Sequence, residues 1–245
     1  MCGILKQDKR LWSIKMKEFI KKLDNFWYHY KWHTIFIAFF VVLFTICTVQ
    51  CAMKDDPDAM ILYSGPEVMS AEGKTVLGSA LATRLDGDPN GDGSKIVSLT
   101  DIVILSDEQI KEKENEAKEE GSVLYYDPTQ RAGAIDQVKK WLLSGQMMIA
   151  ILDPFVYQQL SMVESANLFV PLTELFGTLP ESAYNEYAIS MDKLDLVAYN
   201  ADLKTAFSGT VICLVRPTVV STFDTSWYER HLDFFRRIVT YEVIS

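Results

Sequence analysis

The chain has 245 residues and a net charge of −9, and its charges are unevenly distributed. Eight basic and three acidic residues precede Trp32, whereas 16 basic and 30 acidic residues follow from Lys54 onward. Such an excess of carboxylates repels nucleic acid, so we exclude nucleic-acid binding as the function of the C-terminal part. The length leaves room for about one globular domain beside a membrane segment.

Residues 1–31 form a basic segment, within which residues 13–31 are predicted to be an amphipathic helix. Apolar residues recur there at steps of three and four, and lysines occupy the other side. Such a helix either lies in the membrane interface, attracted by anionic lipid, or extends the following segment inward. In both arrangements the segment is expected to help anchor the protein at the membrane.

Residues 32–53, WHTIFIAFFVVLFTICTVQCAM, are predicted to be a transmembrane helix. From Thr34 to Val49 the run has no charged residue, Pro or Gly, and its length matches the roughly 20 residues that cross a bilayer. A cleaved signal peptide would end in small residues, which the sequence before Cys51 lacks. We therefore expect an uncleaved single-pass anchor in the lipid bilayer of the cell membrane. Because basic residues precede it, the N-terminus is expected in the cytoplasm and residues 54–245 outside.

Residues 54–58 form an acidic linker, and residues 59–245 are predicted to fold as one extracytoplasmic α/β domain. Apolar or β-branched runs predict strands at residues 59–65, 95–105, 123–126, 147–152, 194–199 and 210–215. Helical spacing predicts helices between them, at residues 67–85, 107–120, 128–144, from 154 onward and at 226–241. Alternating strands and helices indicate one compact mixed, mainly parallel sheet with flanking helices.

Local signals place the ends of these helices. Pro66 and Pro154 are suited to a first helical turn, and Asp127 precedes Pro128 as a cap. Ser106 and Gln109 have the spacing of a capping box. The helix that they begin is charged on every side, so we expect it to be solvated and not part of the core.

The segment DGDPNGDGSKI, residues 86–96, predicts a turn with a calcium-binding pattern. Asp88, Asn90 and Asp92 stand at alternate positions before a Gly, as in the first half of an EF-hand or dockerin loop, and Asp86 or Asp101 could add a further oxygen. The sequence then departs from the EF-hand pattern, because Leu99 stands at the position where that pattern has a bidentate acidic residue. A Ca²⁺ site and an ordinary turn rich in Asp, Asn and Gly both remain as interpretations. No other cofactor is predicted.

The remaining titratable residues favour a non-catalytic protein. His231 lies on the apolar side of the last predicted helix and is expected to be a packing residue, and Cys213, within VICLV, is expected to be a buried thiol. The sequence has no phosphate-binding loop, G-x-S-x-G elbow or paired Cys/His metal spacing. A hydrolase with an unrecognised site stays the least favoured interpretation.

Residues 138–176 resemble part of the type 2 periplasmic, or extracellular, solute-binding proteins. In that family a helix ends in S/A-G-x, a hydrophobic strand ends in Asp and a "g-x-l-v-P-L-x-x-L" turn follows, which Asp153 and the run 168–175 match. The layout also resembles membrane-anchored proteins of Clostridia-type bacteria that begin with an FWYHYKW-like helix. The resemblance implies a reduced solute-binding lobe, since the 192 residues after the anchor fall short of two lobes.

The predicted function is therefore a membrane-anchored binding domain for a small solute or an envelope partner. The alternative is a pocketless interaction or scaffold domain of a transporter or secretion assembly, whose partner would be a membrane protein. In open α/β sheets ligands bind beyond the carboxyl ends of the strands. The residues expected at those ends, as ligand-binding residues or as plain helix caps, are Ser64, Gly65, Ser106, Asp153 and Tyr157.

Overall fold

The computed structural model describes residues 4–52, 56–123, 126–218 and 225–241. The chain divides into two compact units, Met1–Lys54 and Asp55–Ser245.

The first unit is a single continuous helix, α1, which runs from Ile4 to Ala52. Its stretch Asp24–Val49 is long and apolar enough to span a membrane. Rows of exposed phenylalanine, isoleucine and valine side chains cover it. The helix therefore satisfies the length and composition of a membrane span, and the predicted segments 13–31 and 32–53 lie, as far as Ala52, in one uninterrupted element.

The second unit is built on a mixed sheet that has five strands in the described part of the chain, in the order β2-β1-β3-β5-β4. The strands β1, β2 and β3 are parallel, and β5 runs antiparallel to both β3 and β4. The prediction of an α/β domain is confirmed, with parallel pairing confined to one half of the sheet. The strand bounds are β1 Ala59–Gly65, β2 Val97–Val103, β3 Ile149–Leu152, β4 Ile189–Ser190 and β5 Val211–Leu214.

Helices connect these strands. They are α2 Ala71–Ala82, α3 Asp107–Glu119, α4 Pro128–Leu143, α5 Pro154–Leu168, α6 Leu172–Phe176, α7 Asp195–Ala198, α8 Ala201–Phe207 and α9 Thr225–Val239, with a 3₁₀ turn at Met191–Lys193. The expected capping box of α3 is present, and Asp127 caps α4 by accepting a hydrogen bond from the Thr129 amide. As expected, α3 buries none of its side chains.

Helices cover both faces of the sheet, because side chains of a strand alternate between its two faces. Ile61 and Ile151 pack in one core with residues of α2, α8 and α9. Leu62 and Leu152 point the other way and pack with residues of α4 and α5. A strand buried on both faces carries an uninterrupted apolar run, and this explains the sequence IAIL of β3.

Two strand and helix predictions differ from the structure, and a third includes residues outside those that the structure describes. Within residues 194–199, Asp195–Ala198 form the short helix α7 and not a strand, and Leu196 and Val197 of this helix pack in the core with residues of α8. The helix predicted after Pro66 begins only at Ala71, where the Ser70 hydroxyl accepts a hydrogen bond from the Gly73 amide. The strand predicted at 123–126 includes residues 124 and 125, which lie outside the described residues.

Candidate functional site

The carboxyl ends of the three parallel strands meet at one edge of the sheet. There β1 ends at Gly65, β2 at Val103 and β3 at Leu152. The amide of Asp153 donates to the carbonyl of Ser64 over 2.7 Å, which continues the pairing of β3 with β1 past the end of β3. The helices α3 and α5 both begin beside this edge, shortly after β2 and β3.

An open cleft of about 520 Å³ lies where these helices begin. One wall is made by the first turn of α3 and another by α5, and a loop residue pair before β4 completes it. The surface is mostly polar and aromatic. The lining residues are Ser106, Glu108, Pro154, Phe155, Tyr157, Gln158, Ser161, Tyr184 and Asn185.

A chain of hydrogen bonds joins the two helix starts. The Ser106 hydroxyl accepts from the Gln109 amide at 3.2 Å, and the Gln109 side-chain oxygen accepts from the Ser106 amide at 2.8 Å. Gln109 Nε2 then donates to Asp153 Oδ2 at 3.0 Å, and Asp153 Oδ1 accepts from the Phe155 amide at 2.8 Å. These hydrogen bonds fix the starts of α3 and α5 relative to each other. They also satisfy backbone amides at the two helix N-termini, which would otherwise lack a partner.

Tyr157 and Asn185 form the polar centre of the cleft. The buried Tyr157 ring stacks on Phe169, with centroids 5.7 Å apart, and its hydroxyl donates to Asn185 Oδ1 at 3.0 Å. Burial is the main cause that raises the pKa of the Tyr157 phenol above its ordinary value. The hydroxyl therefore stays protonated and remains a donor at physiological pH.

The orientation of the Asn185 amide is fixed by its neighbours. Its Oδ1 also accepts from the backbone amides of Tyr187 at 2.9 Å and Ala188 at 3.0 Å. Three donors around one atom identify that atom as the oxygen. The Nδ2 group therefore keeps two protons for which the described residues provide no acceptor.

Ser64 and Gly65 do not line the cleft. Ser64 is fully buried, and its hydroxyl donates to the Ile102 carbonyl at 3.1 Å. A Cβ on Gly65 would overlap the Tyr63 hydroxyl, so Gly65 makes room for this buried ring. Burial, then the carboxylates of Asp153, Glu67 and Asp101, raise the pKa of Tyr63 to about 12.

The five predicted residues therefore separate into groups. Ser106 and Tyr157 line the cleft, Asp153 links its two walls, and Ser64 and Gly65 lie within the sheet edge. A ligand-binding role for each stays a prediction. Tyr184 and Asn185 were not predicted, because they lie in an irregular stretch between α6 and β4 that carries no periodic signal.

The predicted calcium loop is an exposed turn whose oxygens bind its own backbone. Asp88 accepts from the Gly91 and Gly93 amides at 2.8 and 2.6 Å, and Asp92 Oδ1 accepts from the Ser94 amide at 2.8 Å. The Ser94 contacts are the leading cause that lowers the pKa of Asp92.

The other two predicted ligands of that loop also have partners. Asn90 donates to the Asp56 carbonyl at 2.6 Å, and Asp86 forms an ion pair with Arg237 at 2.7 Å. Within the described residues, no group of three or more His, Cys, Asp or Glu side chains is placed to hold a metal. Calcium binding stays a prediction, which an unchanged melting temperature in millimolar Ca²⁺ would contradict.

His231 and Cys213 both lie in the core, as expected from their apolar surroundings. Burial raises the pKa of the Cys213 thiol well above its ordinary value, so this thiol is unreactive. His231 is hydrogen bonded through both ring nitrogens, to the Met60 amide and to the Trp227 carbonyl. Neither residue reaches the cleft.

Comparison with protein-family models, with curated proteins and with solved structures gives no match. Function is therefore inferred from the cleft and from the apolar stretch of α1.

Proposed function

We propose that this protein is a membrane-anchored, non-catalytic binding domain whose cleft between α3 and α5 receives a small solute outside the cell. The cleft carries the proposal. It combines exposed aromatic surface with hydrogen-bond donors held in fixed positions, as ligand sites commonly do. It also lies beyond the carboxyl ends of parallel strands, where open α/β sheets bind ligands.

Two features support the placement at a membrane. The stretch Asp24–Val49 has the length and composition of a span, and eight basic residues precede Trp32. Such charge asymmetry favours a cytoplasmic N-terminus. The resemblance of residues 138–176 to solute-binding proteins supports the same function, in a domain that is too short for two lobes.

The test is a solute screen on the full-length chain in detergent micelles. Amino acids, short peptides, sugars and amines are added, and unfolding is followed by tryptophan fluorescence, since Trp141 and Trp227 both lie in the folded domain. A solute that binds the native state raises the melting temperature by mass action. We expect at least one class to do so.

The matched variants are Tyr184→Ala and Tyr199→Ala. Both rings are solvent exposed, and Tyr184 lines the cleft whereas Tyr199 does not. Tyr184→Ala should abolish the solute-induced shift with little change in the unliganded melting temperature, and Tyr199→Ala should leave both unchanged. A screen without any shift would contradict solute binding. Capture of a membrane protein would then favour the scaffold function.

A further inference from the structure

We propose that the solute of the cleft between α3 and α5 carries an organic ammonium group, together with a hydroxyl or another uncharged oxygen. This inference rests on the proposed function and names the chemical class of its ligand. Three features of the cleft carry it: the balance of charge, the aromatic rings of its lining and the Asn185 amide protons that no described residue accepts.

The charge at the cleft is negative. Glu108 lines it and forms no ion pair with any described residue, and Asp153 lies beside it with a neutral partner, Gln109. The nearby cation, Arg131, is paired with Asp107 at 2.6 Å, so these two charges cancel. The starts of α3 and α5 add only about half a positive charge each. Two carboxylates thus outweigh the two helix ends, and a cation is favoured over an anion.

Aromatic rings supply the second element of cation recognition. Tyr184 is about half exposed and meets Tyr157 edge-on, with ring centroids 6.1 Å apart. A neighbouring ring already holds a cation, because the Arg131 guanidinium lies 5.7 Å from the centroid of Phe155. Cations are attracted to ring faces by the ring quadrupole, and a quaternary or primary ammonium is stabilised in the same way.

The Asn185 amide accounts for the oxygen of the solute. Its Oδ1 is saturated by Tyr157 and two backbone amides, which leaves both Nδ2 protons at the cleft surface. A solute that displaces water from these protons must bring an acceptor, because the carboxylates of the cleft do not provide one. A hydroxyl on the same molecule as the ammonium satisfies them, as in amino alcohols and amino sugars.

The experiment measures binding of paired probes by calorimetry, with the full-length chain in detergent micelles. Choline is compared with 3,3-dimethylbutan-1-ol, which has the same shape and hydroxyl but no charge, and glucosamine is compared with glucose. We expect each ammonium compound to bind at least about tenfold more tightly than its uncharged partner, with an advantage that decreases as salt is added.

Glu108→Gln and Glu116→Gln are the matched variants, because both positions are exposed on α3 but Glu116 lies two turns beyond the cleft. Glu108→Gln should weaken choline or glucosamine binding about tenfold and leave the uncharged probes unaffected, whereas Glu116→Gln should change neither. Tyr184→Phe, which keeps the ring, should retain ammonium binding within about twofold.

Two results would overturn the inference. Equal binding of charged and uncharged probes would mean that the cleft binds solutes without selecting an ammonium, and the proposed function would survive. Failure of both ammonium compounds to bind at about 50 mM, far above the millimolar affinity expected of fragments, would exclude the class. If the wider solute screen also gave no shift, the proposed function would fail as well.

Discussion

His231 shows how a single buried residue couples the stability of the domain to pH. Its Nε2 accepts from the Met60 amide at 3.0 Å, and its Nδ1 lies 2.8 Å from the Trp227 carbonyl, to which it donates. This arrangement requires the neutral imidazole, since a protonated ring would have no acceptor atom for Met60. Burial lowers the pKa of His231 to about 4.

We therefore predict that acid destabilises the domain through His231. The folded pKa of about 4 lies below the ordinary value of 6.5, so the unfolded chain binds a proton more readily. The stabilising contribution is complete above pH 6.5 and is lost as the pH falls towards 4, at a total cost of about 3 kcal/mol. Urea unfolding of the wild type at several pH values, followed by tryptophan fluorescence, measures this slope.

The variant His231→Gln provides the control. It removes the titrating ring and keeps a side-chain carbonyl that can accept from Met60, so it should be less stable at neutral pH by about 1–2 kcal/mol. Between pH 6.5 and 4 its stability should fall much less than that of the wild type. Equal slopes in the two proteins would show that other groups cause the acid sensitivity.

At the scale of elements, the close contact between α2 and β2 depends on a glycine. A Cβ at position 78 would overlap the Val97 carbonyl oxygen. This oxygen belongs to the backbone of the sheet, so it cannot shift without disturbing the strand. Gly78 therefore sets how closely the helix approaches the strand, and with it the packing of Leu77 and Leu81 in the core.

Two glycine-to-alanine substitutions should have opposite effects. Gly78→Ala should destabilise the domain by about 1–3 kcal/mol, because the added methyl group separates α2 from β2. Gly133→Ala, in α4, meets no atom within 4 Å and should stabilise by about 0.5–1 kcal/mol, since alanine is the better helix former. Chemical denaturation of both variants measures the difference. A stabilising Gly78→Ala would mean that α2 is less closely packed than the structure indicates.

At the scale of the whole molecule, the distribution of charge predicts the topology in the cell. Eight basic residues precede the apolar stretch, and the domain that follows it is acidic. The native Cys2, Cys47 and Cys51 are first replaced by Ser. A single cysteine is then introduced as Lys17→Cys or Lys111→Cys and is treated with a membrane-impermeant maleimide. Cys213 can remain, because it is buried and its raised pKa keeps it unreactive.

The expected result is labelling of Lys111→Cys in intact cells and labelling of Lys17→Cys only after permeabilisation. Positively charged flanks are retained in the cytoplasm, which is the physical reason for this orientation. The reverse pattern would place the domain in the cytoplasm and would remove the basis for an extracellular solute.

The sequence alone determined those features whose cause is local. Apolar alternation and β-branched residues predicted β1, β2, β3 and β5, and the side chains of Ser106 and Asp127 predicted two helix starts, because caps act on neighbouring amides. The apolar stretch of α1 was equally evident, since a membrane span depends on composition and length.

Tertiary structure decided the features that depend on contacts between distant residues. The order of the strands and the reversal at β5 depend on how the two cores close, and residues 194–199 contain the helix α7, whose Leu196 and Val197 pack with residues of α8 that follow later in the chain. The cleft is completed by Tyr184 and Asn185, which follow Tyr157 by 27 and 28 residues and contact it only because the chain folds back. The sequence around these two residues has no helical or strand periodicity. Only the folded chain therefore shows that they lie at the edge of the sheet where the parallel strands end.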